Sequence, residues 1–387
     1  MRSNRTSVPF VPTHVKLTGT PFFLLSIILV PLSIALLMYF WNRVSGPQPL
    51  RFGSRLLMVL FAQVTAVTLV FVVVNNDNQL YGSWDDLLGT GSHVRAVPVP
   101  PAEGDGPGGG GPEQPKVIQQ FGPVDDKAVP KDVRTTDLKG QVSGVDGEVL
   151  VWTPPQYDDP AYKDKRFPVV ELLAGFPGSS SAWFGSMNVS KQLAPLMKSG
   201  QIAPFILVSP RVVLLEGHTD TGCADVAGKV NAESWLARDV PRMVLDNFRA
   251  EPGPERWAVA GYSAGAHCAA RLAIGHPNRF HAAVSMSGYN DPIGESDSLT
   301  ARDAHLREVS NPLYMLAHAQ TPPNVSLYVT GKKGDGFEDA LALQKAAKAP
   351  TSVTPVEVNG PHLTSTWEPM VPSVFTWLTQ AVGGKTG

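Results

Sequence analysis

Gly261-Tyr262-Ser263-Ala264-Gly265 sets a serine between two glycines, where a strand-like run (256–260) meets a helix-like run (264–273). Glycines at those positions permit a tight turn that lifts the hydroxyl clear of the backbone, as a serine nucleophile requires. A serine hydroxyl attacks poorly at neutral pH without a base, a group to orient that base and N–H donors for the oxyanion. Histidine is the natural base. Of those after Ser263, His267 lies one turn into the helix and points away. His276 and His281 flank a turn and read as surface polar residues, while His305 and His318 fall in a helical stretch. His362, in Val358-Asn359-Gly360-Pro361-His362, sits on a turn after the last strand and is the candidate base.

The orienting acid is expected after the strand at 326–330, in Gly331-Lys332-Lys333-Gly334-Asp335-Gly336-Phe337-Glu338-Asp339. Asp335, between glycines, is the candidate. Glu338 and Asp339 compete for the role but also suit the first turn of the following helix, where the helix dipole favours acids. One oxyanion donor is expected from the N–H of Ala264 and the other from Ala174-Gly175-Phe176-Pro177-Gly178. Phe176 is the candidate there, because Pro177 has no N–H.

These residues need a scaffold that gathers them. Short apolar runs at 147–153, 168–174, 204–209, 256–260, 282–286, 326–330 and 353–358 read as strands. Glu171 interrupts the second. Helical patterns alternate with them at 234–248, 264–273, 337–347 and 374–382, and Pro241 either starts or kinks the first. Alternation of this kind predicts an α/β fold, a mostly parallel sheet with helices on both faces and ligands at the carboxyl ends of the strands.

With these residues in place, the chain from about 133 to 378 resembles the esterase D-like α/β-hydrolase family. That family includes S-formylglutathione hydrolases, ferric-enterochelin-type esterases and mycolyltransferases. The motifs that carry the resemblance are Trp152-Thr153-Pro154-Pro155-Gln156-Tyr157, Leu172-Leu173-Ala174-Gly175-Phe176-Pro177-Gly178, Gly261 to Gly265, and Gly360-Pro361-His362 followed by Trp367. The resemblance implies the α/β-hydrolase fold and ester chemistry through an acyl-enzyme. Ala174 and Pro177 stand where mycolyltransferases carry an aspartate and an arginine for trehalose, which argues against trehalose mycolylation. Proline also replaces the middle glycine of the family's frequent Gly-Gly-His. The N-terminal region and the cysteine pair look most like membrane-anchored actinobacterial members. Cys223 and Cys268 permit one disulfide in an exported domain, or stand as two reduced core thiols.

Two apolar runs, 21–41 and 56–74, each have about the length of one bilayer crossing and no charge. Arg43, Arg51 and Arg55 crowd the loop between them, Arg2, Arg5 and Lys16 precede the first, and Asp77, Asp85 and Asp86 follow the second. The density of arginine places the loop in the cytoplasm and the rest of the chain outside. Residues 93–116, rich in proline and glycine, read as a linker between an anchor (1–92) and a catalytic domain (117–387). The net charge of −2 gives no electrostatic case for nucleic-acid binding. No metal-ligand spacing, phosphate loop or dinucleotide fingerprint is present, so neither metal nor cofactor is expected; Gly108 to Gly111 belong to the linker.

The resulting expectation is a membrane-anchored, extracytoplasmic serine esterase acting on a small-molecule or lipid ester. Two alternatives are an acyltransferase with a sugar or lipid alcohol as acceptor, and an inactive hydrolase-like binding module. Trp183 and Phe184 are candidates for an acyl pocket or for packing.

Overall fold

The structure, a computed structural model, describes residues 15–98 and 116–384. Arg2 and Arg5 and the linker residues 99–115 lie outside the described residues. The chain divides into two compact units, Met1–Asn75 and Asn76–Gly387.

In the first unit, helix α1 (Thr20–Phe40) and most of α2 (Gln48–Asn78) follow from the two apolar runs. Both are long and apolar enough to cross a membrane, with mean hydropathies of 2.5 and 2.6. A hydroxyl pair, Ser33 Oγ and Thr65 Oγ1 at 3.0 Å, joins them. The loop between them is shorter than the sequence suggested, because Arg51 and Arg55 lie inside α2 rather than ahead of it.

The second unit begins at Asn76, upstream of the expected boundary at residue 92. A short helix, α3 (Trp84–Leu88), is capped by Ser83, whose side chain accepts from the Asp86 N–H. The chain then pairs with the catalytic unit through Val94 and Val145, and Asn231 Nδ2 donates to the Pro98 carbonyl at 2.7 Å. Beyond the linker, Val117 and Gln119 donate to the side chains of Asp246 and Asn247. Both flanks of residues 99–115 are thus pinned to one unit.

Nine strands form the main sheet in the order β1-β2-β3-β5-β4-β8-β9-β10-β11. They are β1 (Gly122–Pro123), β2 (Arg134–Lys139), β3 (Asp146–Trp152), β4 (Val169–Leu173), β5 (Ile206–Pro210), β8 (Trp257–Tyr262), β9 (Ala282–Met286), β10 (Ser326–Gly331) and β11 (Ser352–Glu357). A separate hairpin comprises β6 (Asp225–Val226) and β7 (Val230–Asn231). The first three strands are antiparallel, and β5 to β11 are parallel in the main sheet. The fold is that of an α/β-hydrolase.

The central strands are apolar at successive positions because both faces are covered. Val170, Leu172, Ala258 and Ala260 face α4 (Val189–Lys198) and the C-terminal helix (Val371–Val382), where Leu193, Phe375 and Leu378 complete one core cluster. Val169, Leu173, Trp257 and Val259 share the other cluster with Met243 and Val244 of α5 (Val240–Asn247) and Leu272 of α6 (Ala264–Gly275). Pro241 falls in the first turn of α5, just after a π-helical turn at Trp235–Asp239. Proline lacks the N–H that would continue a regular helix there. Glu171, the break in the apolar pattern of β4, is fully buried. Burial pushes its carboxyl well above the usual carboxylate range, which favours the neutral acid.

Cys223 and Cys268 form a disulfide, which ties the loop before β6 to α6. Beside it, Arg271 donates to the Cys223 carbonyl and pairs with Glu233, whose second oxygen meets His276 Nε2 at 2.7 Å. His276 is therefore half-buried in an ion-pair cluster, not a surface polar residue as its turn position implied. Burial would raise the Glu233 pKa, but Arg271 and His276 outweigh it and hold the carboxyl down to about 2. A depressed carboxylate pKa contributes stability above its unfolded value of 4.5 that is lost as pH falls toward about 2. Glu233→Gln is expected to flatten this part of the acid limb in a plot of melting temperature against pH. An acid limb identical to that of wild type would contradict the assignment.

Candidate active site

The parallel register sends the carboxyl ends of β4, β8, β10 and β11 to one edge of the sheet, and every candidate catalytic residue sits just beyond one of those ends. Ser263 links β8 to α6 in a strained conformation, with φ 56° and ψ −126°. Its N–H donates to the Met286 carbonyl at the end of β9. The flanking glycines are required by contact. A Cβ at Gly261 would stand 2.0 Å from the Gly265 carbonyl oxygen, and one at Gly265 would stand 2.4 Å from the carbonyl oxygens of both Leu173 and Ala174. Helix α6 therefore starts hard against the end of β4.

His362 Nε2 lies 2.8 Å from Ser263 Oγ, while its Nδ1 lies 2.9 and 3.1 Å from the two carboxylate oxygens of Asp335. The three side chains assigned from sequence thus meet in one hydrogen-bonded chain. Asp335 stands on a tight turn after β10, closed by reciprocal backbone hydrogen bonds with Lys332. Glu338 turns back to accept from the Gly334 N–H, and Asp339 accepts from the Asn290 N–H, so neither reaches His362 in this arrangement. The side chains of His362 and Asp335 remain 42% and 32% exposed, so water has access to the base.

Trp367 holds the imidazole in place. Its ring meets that of His362 edge to face at 4.9 Å, stacks on Tyr262 at 4.8 Å, and its Nε1 donates to Ser287 Oγ. Sequence reading noted Trp367 only as a motif residue, because its partners Tyr262 and Ser287 lie 80 or more positions away. The other aromatic candidates, Trp183 and Phe184, are fully buried packing residues, and Trp183 lies against Tyr262. His267 is likewise a core residue. Its Nδ1 bonds the Tyr289 carbonyl, and burial lowers its pKa to about 4.

Phe176 lies in the loop after β4 and Ala264 opens α6, where the first N–H groups have no partner within the helix. Gly175 brings this loop onto the serine, since a Cβ there would approach Ser263 Cβ to 3.0 Å. Ser179, further along the loop, donates both its N–H and its hydroxyl to the Gln79 carbonyl, at 3.1 and 2.9 Å. Asn78 Oδ1 accepts from Thr364 Oγ1, two residues after His362. The last residue of α2 and the one after it therefore touch the loop of His362 and the loop of Phe176, respectively. No composition or motif signal marks these contacts.

A sequence model of the esterase family matches residues 141–357, more than half of the chain. The chain belongs to the esterase family. An uncharacterised protein of Corynebacterium glutamicum is 25% identical over 268 residues, which cover 64% of this chain and 60% of that relative. The chain thus spans about 60% of the length of this curated relative. Among solved structures, a ferulic acid esterase superposes with a TM-score of 0.55 at 20% identity, covering 64% of this chain and 98% of its own. An S-formylglutathione hydrolase from Agrobacterium tumefaciens gives 0.53 at 13% identity, over 69% and 99% of the two chains. The fluorophosphonate-binding serine hydrolase FphF of Staphylococcus aureus gives 0.52 at 15% identity, over 64% and 98%. At these identities the likeness concerns the fold.

The contacts at Gly265 generate a stability prediction. Gly265→Ala is expected to destabilise the unit by about 3 kcal/mol or more, because the backbone oxygens at the end of β4 cannot yield. Gly334→Ala, at φ +75° in open space, is expected to cost only about 1–2 kcal/mol. Thermal unfolding of the two variants distinguishes them, and equal costs would contradict the packing argument.

Proposed function

We propose that this esterase-family protein hydrolyses carboxylic esters through a covalent acyl-enzyme. The observation that carries the reading is the continuous hydrogen-bonded chain from Asp335 through His362 to Ser263 Oγ. Ser263 attacks the ester carbonyl while His362 Nε2 takes its proton. Asp335 holds the imidazole tautomer with Nδ1–H toward itself and supports the cation that forms. The N–H groups of Phe176 and Ala264 stabilise the oxyanion. The alcohol leaves with the proton from His362. Water, activated by the same histidine, then releases the acid and restores the serine.

Helices α1 and α2 anchor the protein in a membrane, with the catalytic unit on the extracytoplasmic side. The disulfide supports that side, since such bonds persist in oxidising compartments. Arg43 in the turn between the helices supports it as well.

The test uses the full chain in lipid nanodiscs, with a fluorophosphonate probe and p-nitrophenyl butyrate. Ser263→Ala is expected to abolish both labelling and turnover. Asp335→Asn should lower kcat by about 10³–10⁴-fold, and Glu338→Gln by no more than a few fold. Labelling that survives Ser263→Ala, or a larger loss at Glu338 than at Asp335, would overturn the assignment.

A further inference from the structure

With α1 and α2 spanning a membrane, one polar side chain of the first unit faces hydrocarbon. Gln63 stands seven residues after Leu56, within the uncharged run 56–74 of α2. At the rise of an α-helix that is about 10 Å inside a bilayer core about 30 Å thick. The side chain is exposed and makes no hydrogen bond among the described residues. An amide carries two N–H donors and an accepting carbonyl, and leaving them unpaired in hydrocarbon is costly. The hydroxyls of Ser26, Ser33 and Thr65 escape this cost, since each donates to a carbonyl three residues earlier in its own helix. Helix α1 cannot supply the partner that Gln63 lacks. It meets α2 on the face of Thr65, where Ser33 Oγ lies 3.0 Å from Thr65 Oγ1. Gln63 precedes Thr65 by two residues, which turns it about 200° around the helix, to the far side from α1.

Gln63 also belongs to a register. Leu56, Leu60, Val67, Val70 and Val74 recur with it at alternating spacings of four and three, and these five are 45% to 68% exposed. Alternation of four and three is the a/d pattern of a heptad, which lays a continuous seam along the helix and winds two such helices left-handed. A single polar residue in an apolar seam fixes register and partner. In membranes such a residue bonds across helices, because lipid cannot answer it. Helix α1 contains no amide side chain, so the seam belongs to α2. The occupant that fits it is α2 of a second copy. Copies of one chain cross the membrane in the same direction, and two-fold symmetry then sets each seam residue against its own counterpart. Glutamine is complementary to glutamine, because each amide donates through nitrogen and accepts through oxygen. A helix of unrelated sequence would need an amide at the same depth and in the same register.

We propose that the protein is a parallel homodimer in the membrane, joined along this seam of α2 with Gln63 hydrogen-bonded to the partner's Gln63. The inference rests on the reading of α1 and α2 as membrane-spanning helices and is independent of the chemistry at Ser263.

The chain's two cysteines are joined to each other, so a single cysteine introduced into α2 can pair only with its counterpart in a second molecule of this protein. Cysteines are introduced one at a time from 56 to 74 in the full chain and oxidised with copper phenanthroline in the membranes of the expressing cells. Cross-linked dimer is expected to peak at Leu60, Gln63, Val67 and Val70 and to fall to a minimum at Met58, Thr65 and Val72. In a second arm, donor- and acceptor-labelled full chain is diluted with lipid in liposomes and energy transfer reports association. Gln63→Leu, which keeps the seam apolar, should raise the dissociation constant by about tenfold, the worth of an interhelical amide pair. Adding Val64→Gln to that variant turns the amide about 100° off the seam and should not restore the affinity. Peaks on the face of Thr65, cross-linking without a period, or a Gln63→Leu protein that associates as tightly as wild type would overturn the dimer. So would cross-links only to a different protein. Alkaline carbonate extraction of the same membranes separates the two claims. A protein retained in the membrane but monomeric defeats the dimer alone, whereas release by carbonate defeats the membrane anchor as well.

Discussion

The arrangement depends on one close approach, that of Gly265 to the carbonyl oxygens of Leu173 and Ala174. It places the first turn of α6 directly on the end of β4. A helix starting there forces the residue between β8 and α6 into a left-handed conformation, and Ser263 takes up that strain. Gly175, the next residue in the chain after Ala174, lies against the serine. Parallel pairing of β8, β9, β10 and β11 then fixes where the loops of Asp335 and His362 emerge. Loops at one edge of such a sheet need only a few residues each to meet above the serine.

Much of this was legible in sequence, and for identifiable reasons. The strands are short apolar runs buried on both faces, so their periodicity and the breaks between them survive in composition. Asp335 was favoured over Glu338 because it stands between glycines immediately after a strand. In the structure Glu338 instead accepts from the turn itself. His362 was reached by setting aside histidines with better local explanations, and His267 indeed packs as a neutral core residue. The exception was His276, whose partner Glu233 lies 43 residues away and leaves no local trace.

Sequence reading is least informative at the junction of the two units. Proline and glycine at high density suggest a divider, and composition carries no information about what the flanking residues touch. Residues 76–98 make long-range contacts with groups 45 to 286 positions later, as Gln79 does with Ser179. Such pairs have neither period nor motif. Through them this segment braces the loop of Phe176 and reaches the loop of His362 by way of Asn78. A protein cut at the start of the family match would lose that support.

The central claim is that Ser263 becomes covalently acylated. It is tested most directly by mixing the full chain with p-nitrophenyl acetate, quenching in acid within milliseconds, and mapping acetylated peptides by mass spectrometry. The account predicts one acetyl group, on the peptide bearing Ser263, appearing with the first equivalent of nitrophenol and absent from Ser263→Ala. Acetyl on another residue, or full nitrophenol release from Ser263→Ala, would contradict it.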